Sequence, residues 1–179
     1  MNIETLFLLS FLFLIVVSLL LVLTWTIRNG ISPMPTAPKV AKKLLEVIPV
    51  KEGARIVELG SGWGTLAFLL AQKYPSCRVL GFENSPLPYL FSRVRQRPNL
   101  CFKYKDFFDE SFAEADLIVC YLCPSLMKRL KEKFEKELRP GTVVVSHTFA
   151  VPGWEAQRVV FVDDLYRTPI YIYTMKADG

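Results

Sequence analysis

The stretch Arg55-Ile56-Val57-Glu58-Leu59-Gly60-Ser61-Gly62-Trp63-Gly64-Thr65 runs from an apolar segment into a cluster of glycines. Arg55 to Leu59 has the length and residue types of a buried strand, and Thr65 to Tyr74 the pattern of a helix. Glycines at such a junction permit a tight turn and let a ligand approach the backbone closely. In an open α/β sheet the junction lies at the C-terminal ends of the strands, where ligands bind. The dinucleotide fingerprint G-x-G-x-x-G, read from Gly60, requires glycine at position 65, which is Thr65. The spacing is G-x-G-x-G instead, with an acid, Glu58, two residues ahead of the first glycine.

Working outward, strands are expected over Arg78 to Glu83, Leu100 to Asp106, Ala115 to Tyr121 and Thr142 to Phe149. Helices are expected over Pro38 to Ile48, Leu87 to Gln96 and Ser125 to Leu138, the last with Leu126, Leu130, Phe134 and Leu138 at every fourth position. Arg158 to Asp164 and Pro169 to Met175 read as two more strands, too close for a parallel crossover of about a dozen residues, so they pair antiparallel. This order predicts an α/β, Rossmann-like doubly wound sheet of seven strands, mostly parallel, with a reversed C-terminal hairpin.

Ahead of this domain, Thr5 to Ile27 holds no charged residue. As a helix it reaches roughly 33 Å, against about 30 Å of hydrocarbon in a bilayer. A cleaved signal peptide has a shorter apolar run, a basic start and small residues after it, a pattern this segment does not follow. One N-terminal transmembrane helix is therefore expected over residues 1–28. Residues 29–37, with Gly30, Pro33 and Pro35, form a linker, and residues 38–179 the single domain that this length allows. All 22 Lys and Arg follow residue 27, so the expected topology is single-pass, N-terminus outside and domain cytoplasmic, or on the matrix side in a mitochondrion. Arg28, Lys39, Lys42 and Lys43 would lie near anionic headgroups. The net charge of +5 comes without a Lys/Arg run interleaved with aromatics, so nucleic acid is not an expected partner. Cys120 and Cys123 form one C-x-x-C with no second pair or adjacent His, which excludes an ordinary zinc site and leaves no metal to expect.

Two further acids stand at strand ends: Glu83, which can accept hydrogen bonds from a ribose, and Asp106. With Glu58 and the glycines, this ordered trio resembles the class I, seven-strand methyltransferases that use S-adenosylmethionine. The resemblance narrows at Tyr121-Leu122-Cys123-Pro124 and at Ser146-His147-Thr148-Phe149 followed by Pro152-Gly153-Trp154. These motifs are similar to those of archaeal protein lysine methyltransferases and of the mitochondrial membrane-anchored enzymes that modify the ATP synthase c subunit or the adenine nucleotide translocase. The similarity spans about residues 33–175. It implies cofactor binding by Glu58, Gly60, Ser61, Gly62, Gly64, Glu83, Asn84, Asp106 and Phe107, with Pro35 and Thr36 in a preceding element that closes over the cofactor. Where that group often carries an acid after the second glycine, this chain has Trp63.

Methyl transfer aligns an acceptor electron pair with a sulfonium methyl in a site shielded from water. A lysine has a pKa near 10.4, so neutralising it at pH 7 costs about 4.6 kcal/mol, which burial and the cationic donor partly supply. Tyr121 and the turn through Pro124 are the candidates to orient the amine. His147, the only histidine, is either a base or a structural residue. Trp63, Phe107 and Trp154 are candidates to line a lysine channel, and core packing is the competing reading for each. The expected activity is N-methylation of a lysine in a membrane-associated protein partner. A membrane lipid or hydrophobic small molecule is the alternative acceptor, and a cofactor-binding module without catalysis the alternative role.

Overall fold

The structure, a computed structural model, describes residues 2–30 and 34–176. Residues 31–33 of the expected linker, Pro33 among them, lie outside the described residues. Helix α1 runs from Ile3 to Asn29 and α2 from Pro38 to Val47; strand β1 (Arg55–Leu59) leads into α3 (Thr65–Lys73), β2 (Arg78–Glu83) and α4 (Pro86–Arg93). Strand β3 (Leu100–Tyr104) is followed by β4 (Leu117–Cys120), α5 (Pro124–Glu137), β5 (Val143–His147), β6 (Arg158–Phe161) and β7 (Pro169–Thr174). The seven strands form one sheet in the order β3-β2-β1-β4-β5-β7-β6. Every pair from β3 to β5 is parallel, while β7 lies antiparallel between β5 and β6. The expected mostly parallel sheet with a reversed C-terminal hairpin is present, β7 being the reversed strand.

Alternation along each strand sends side chains to two cores. On one face Ile56 of β1 packs with Val40 and Leu44 of α2 and with Leu66 and Leu70 of α3. On the other, Val57 and Leu59 pack with Met127, Leu130 and Phe134 of α5. All four residues of β4 are buried, as expected for a central parallel strand covered on both faces. Three helices begin with proline at their first position, Pro38 in α2, Pro86 in α4 and Pro124 in α5, where the missing N–H has no intrahelical partner to lose. α4 therefore starts a residue earlier than its apolar pattern indicates and gives way to turns at Val94, short of Gln96.

α1 is long and apolar enough to cross a membrane, and none of its residues is buried. It extends to Asn29, beyond the expected boundary at residue 28, and is capped by Gly30 in the left-handed conformation (φ 68°). Its C-terminal end touches the domain: the Trp25 indole N–H donates to the Asn84 carbonyl (2.6 Å), and the amides of Asn29 and Asn84 exchange hydrogen bonds of 2.8 and 3.1 Å.

Candidate active site

The glycine loop is held by its own backbone and by β2. Ser61 N–H donates to the Phe82 carbonyl and Gly64 N–H to the Ser61 carbonyl, both at 2.8 Å. Gly60, Gly62 and Gly64 have φ of 70°, 52° and 76°, the left-handed region that residues with a Cβ avoid. At Gly64 a Cβ would meet the Phe102 ring at 2.7 Å, whereas at Gly62 the space is open. Gly64 thus serves packing, whereas a side chain at Gly62 would project into open space.

Glu83, buried at the end of β2, binds both segments around it. Its Oε2 accepts from Gly62 N–H and its Oε1 from Ser85 N–H, each at 2.7 Å. Asp106 caps the short 3-10 turn Phe107–Asp109, accepting from Phe108 N–H at 3.0 Å, and Phe107 is buried beside it. One pocket is lined by Gly60, Glu83, Asn84, Ser85, Asp106, Phe107 and Leu122, and closed by Leu126 and Arg129 from α5 and by Arg28 and Asn29 from α1. Two strand-end acids and the first glycine of the loop therefore share a wall. Arg28, Asn29, Leu122, Leu126 and Arg129 were not legible as pocket residues, since no local pattern marks which face of a distant helix docks there.

Glu58 lies on the α3 side of β1 and is buried, with Oε2 lacking a hydrogen-bond partner; Ser61 Oγ is in the same condition. Burial pushes the Glu58 carboxyl up to about 8, the Ala67 N–H opposes this, and nearby Glu83 adds to it. An unsatisfied buried carboxyl oxygen and an unsatisfied hydroxyl three residues further along the chain fit a ligand bearing an ammonium and a carboxylate. The amino-acid end of S-adenosylmethionine has that chemistry, and a nucleoside fits Glu83, Asp106 and Phe107. When bound, this cofactor supplies a methyl group activated on a sulfonium.

At the ends of β4 and β5 stand the candidate acceptor residues. The rings of Tyr121 and His147 stack at 4.3 Å with 20° between planes, and Phe149 lies nearly parallel to Tyr121 at 6.3 Å. His147 Nε2 and Thr36 Oγ1 are 3.3 Å apart, and Nδ1 is 3.2 Å from Thr148 Oγ1. Burial lowers the His147 pKa to about 4, so the ring is neutral at pH 7. The His147 ring backs Tyr121 and links it to Thr36. Thr36 therefore lies beside the Tyr121–His147 pair, whereas Pro35 is exposed. Pro124 opens α5, directly after Cys123.

The three aromatics expected to line a channel do not meet. Trp63 packs edge-on against Phe91 of α4 at 5.4 Å, and its carbonyl accepts from Arg95 at 3.1 Å. Trp154 packs on Phe134 and Tyr173 while its indole N–H donates to Glu135 at 2.9 Å. Phe107 alone faces the pocket. At this departure from the group's pattern, the Trp63 ring contacts α4. Cys120 and Cys123 are free thiols; Cys120 is buried and its pKa raised to about 12, which makes it inert.

The fold and pocket define a seven-strand methyltransferase that uses S-adenosylmethionine. Residues 58–158 match the model of the ANTKMT methyltransferase domain, and the chain belongs to that family. It is 28% identical over 148 residues to a protein-lysine N-methyltransferase of Saccharolobus islandicus, covering 79% of this chain and 92% of the relative. It is 28% identical over 127 residues to the mouse adenine nucleotide translocase lysine N-methyltransferase, covering 67% of this chain and 55% of the relative, whose length it spans only by about half. Among solved structures, an RNA methyltransferase of Salinibacter ruber in complex with S-adenosyl-L-homocysteine superposes with a TM-score of 0.74 at 29% identity, over 82% of this chain and 96% of that one.

Proposed function

We propose that this chain transfers the methyl group of S-adenosylmethionine to a lysine ε-amine of a protein at a membrane surface. In this reading α1 is the anchor, with the N-terminus outside and the domain on the cytoplasmic or matrix side, and the domain from residue 38 onward carries the reaction. Glu58 and Ser61 hold the amino-acid end of the cofactor, Gly60, Gly62 and Gly64 shape its cradle, and Glu83, Asn84, Asp106 and Phe107 take the nucleoside. Tyr121, backed by His147 and followed by the turn to Pro124, offers an aromatic wall to the acceptor's alkyl chain and nitrogen. Burial there, next to a cationic donor, favours the neutral amine, so the acceptor arrives without its proton and no strong base is required.

The observation that carries the membrane setting is the shared pocket: Arg28 and Asn29, the last turn of the apolar helix, line it together with Glu83 and Asp106. The methyl donor would then bind at the level where the chain leaves the bilayer. The lysine acceptor draws its support from the named activities of the archaeal and mouse relatives.

The test is transfer of label from methyl-labelled S-adenosylmethionine by the full chain in lipid nanodiscs to a membrane-protein extract, with lipid and total RNA offered in parallel. Methyllysine in hydrolysed protein is the expected outcome. Label found only in lipid, metabolites or RNA refutes the proposal, the RNA arm being included because of the Salinibacter ruber neighbour.

A further inference from the structure

The end of α1 does more than pass near the domain. The Trp25 indole N–H donates to the Asn84 carbonyl at 2.6 Å. The Asn29 amide donates to Asn84 Oδ1 at 2.8 Å and lies within 3.2 Å of Ser85 Oγ, while the Asn84 amide donates back to Asn29 Oδ1 at 3.1 Å. All these bonds converge on the two residues after β2. Ser85 N–H in turn holds Glu83 Oε1, and Glu83 Oε2 holds Gly62 N–H, so an unbroken chain of hydrogen bonds runs from α1 to the glycine loop. Leu21, Val22 and Trp25 also lie against Ser85 to Pro88 at the start of α4. Gly30, left-handed, ends the helix immediately after these contacts.

Such a connection has a physical consequence. Asn84 and Ser85 form a turn whose side chains face the helix, and the orientation of Glu83 depends on the backbone of that turn. Withdrawing the partners of Asn84 leaves part-buried polar groups unsatisfied and frees the turn to move. We infer that the last turn of α1 is a component of the cofactor site, with Trp25 and Asn29 as positioning residues that set Glu83 for the nucleoside end of S-adenosylmethionine. The inference rests on the reading of Glu83 as a cofactor residue. It makes cofactor affinity depend on the docked state of the membrane helix, so that a domain pulled away from its helix would hold the cofactor more weakly.

The test is calorimetric binding of S-adenosylhomocysteine to the full chain in nanodiscs, with kcat measured at saturating cofactor. Trp25→Phe keeps the ring and removes one donor, and Asn29→Asp keeps the size and removes the donating amide. Each is expected to weaken binding by about fivefold, the effect of one lost hydrogen bond, with kcat at saturation within twofold of the parent. Thr24→Val alters an exposed neighbour that bonds only within α1, to the Leu20 carbonyl, and is expected to leave the affinity unchanged. Parental affinity in both Trp25→Phe and Asn29→Asp overturns the inference while leaving the cofactor site intact. Absence of binding by the parent chain overturns the site assignment and this inference with it. Equal losses in all three variants also overturn it, since a general effect on the helix, not these contacts, would then be responsible.

Discussion

Glu83 and Gly62, 21 residues apart, are joined by one hydrogen bond of 2.7 Å from the loop N–H to the carboxylate. The other carboxylate oxygen takes Ser85 N–H, so each oxygen already holds one backbone donor and keeps one lone pair for the proposed ligand. Glu83→Gln keeps one acceptor oxygen and is expected to weaken S-adenosylhomocysteine binding about tenfold; Glu83→Ala should weaken it further and also lower the melting temperature. Calorimetry and thermal denaturation of the same preparations check both.

The Glu58 carboxyl, raised to about 8 by burial, is largely protonated at pH 7 without a ligand. A cationic group beside it favours the carboxylate, so binding expels a proton and tightens as pH rises from 6 to 8, by up to about one decade per unit, then levels off. In the ligand-free fold the sign is reversed. A folded pKa above the unfolded value of 4.5 means that stability falls as pH rises from 4.5 towards 8. Glu58→Gln is expected to remove the pH dependence of binding between 6 and 8 and the Glu58 contribution to the pH dependence of melting. A binding constant flat from pH 6 to 8 in the parent chain would contradict this assignment.

His147 carries a folded pKa of about 4 against 6.5 in the open chain. Its contribution to stability is present above pH 6.5 and is lost as pH falls from 6.5 to 4, because the unfolded state then binds the proton more readily. A general base is worth about 100- to 10,000-fold in rate. His147→Asn is instead expected to lower kcat less than about tenfold, with no titration near 6.5 in the profile of kcat. Tyr121→Ala, which removes the wall itself, should raise the acceptor KM more than His147→Asn does. Steady-state kinetics against pH separates the two.

Gly62→Ala and Gly64→Ala separate binding from packing. Both force a Cβ onto a left-handed backbone, which costs about 1–2 kcal/mol. At Gly64 the added atom also meets Phe102 at 2.7 Å and Ser92 at 2.8 Å, so a total loss of about 3 kcal/mol or more is expected. At Gly62 nothing lies within 4 Å, so the fold should survive while the added methyl obstructs the ligand. Urea melts and S-adenosylhomocysteine titrations of the two variants should therefore rank them in opposite orders.

The strands were legible because their residues are governed by local signals: β1 and β2 begin and end where the apolar runs do, and Pro140-Gly141 marks the stop of α5. Glu58, Glu83 and Asp106 were legible as candidates because strand ends converge on one edge of a parallel sheet. What remained hidden depends on direction. Trp63 and Trp154 are identified by sequence as aromatic, yet their packing on Phe91 and on Phe134 is decided by neighbours far along the chain. The contact of Asn29 with Asn84, 55 positions away, has no local signature at all.

α1 does not hang from the domain on a slack tether; its last turn is bonded to the residues following β2, and Gly30 ends it there. In a bilayer, such a joint would hold the reacting edge of the sheet at one elevation above the lipid. Acceptors would then be selected by height as much as by sequence: a lysine one helical turn too far from the surface, however well flanked, would pass out of reach. If the acceptor is membrane-bound, as proposed, the two partners would search a plane and not a volume, and a small domain would discriminate among acceptors by altitude.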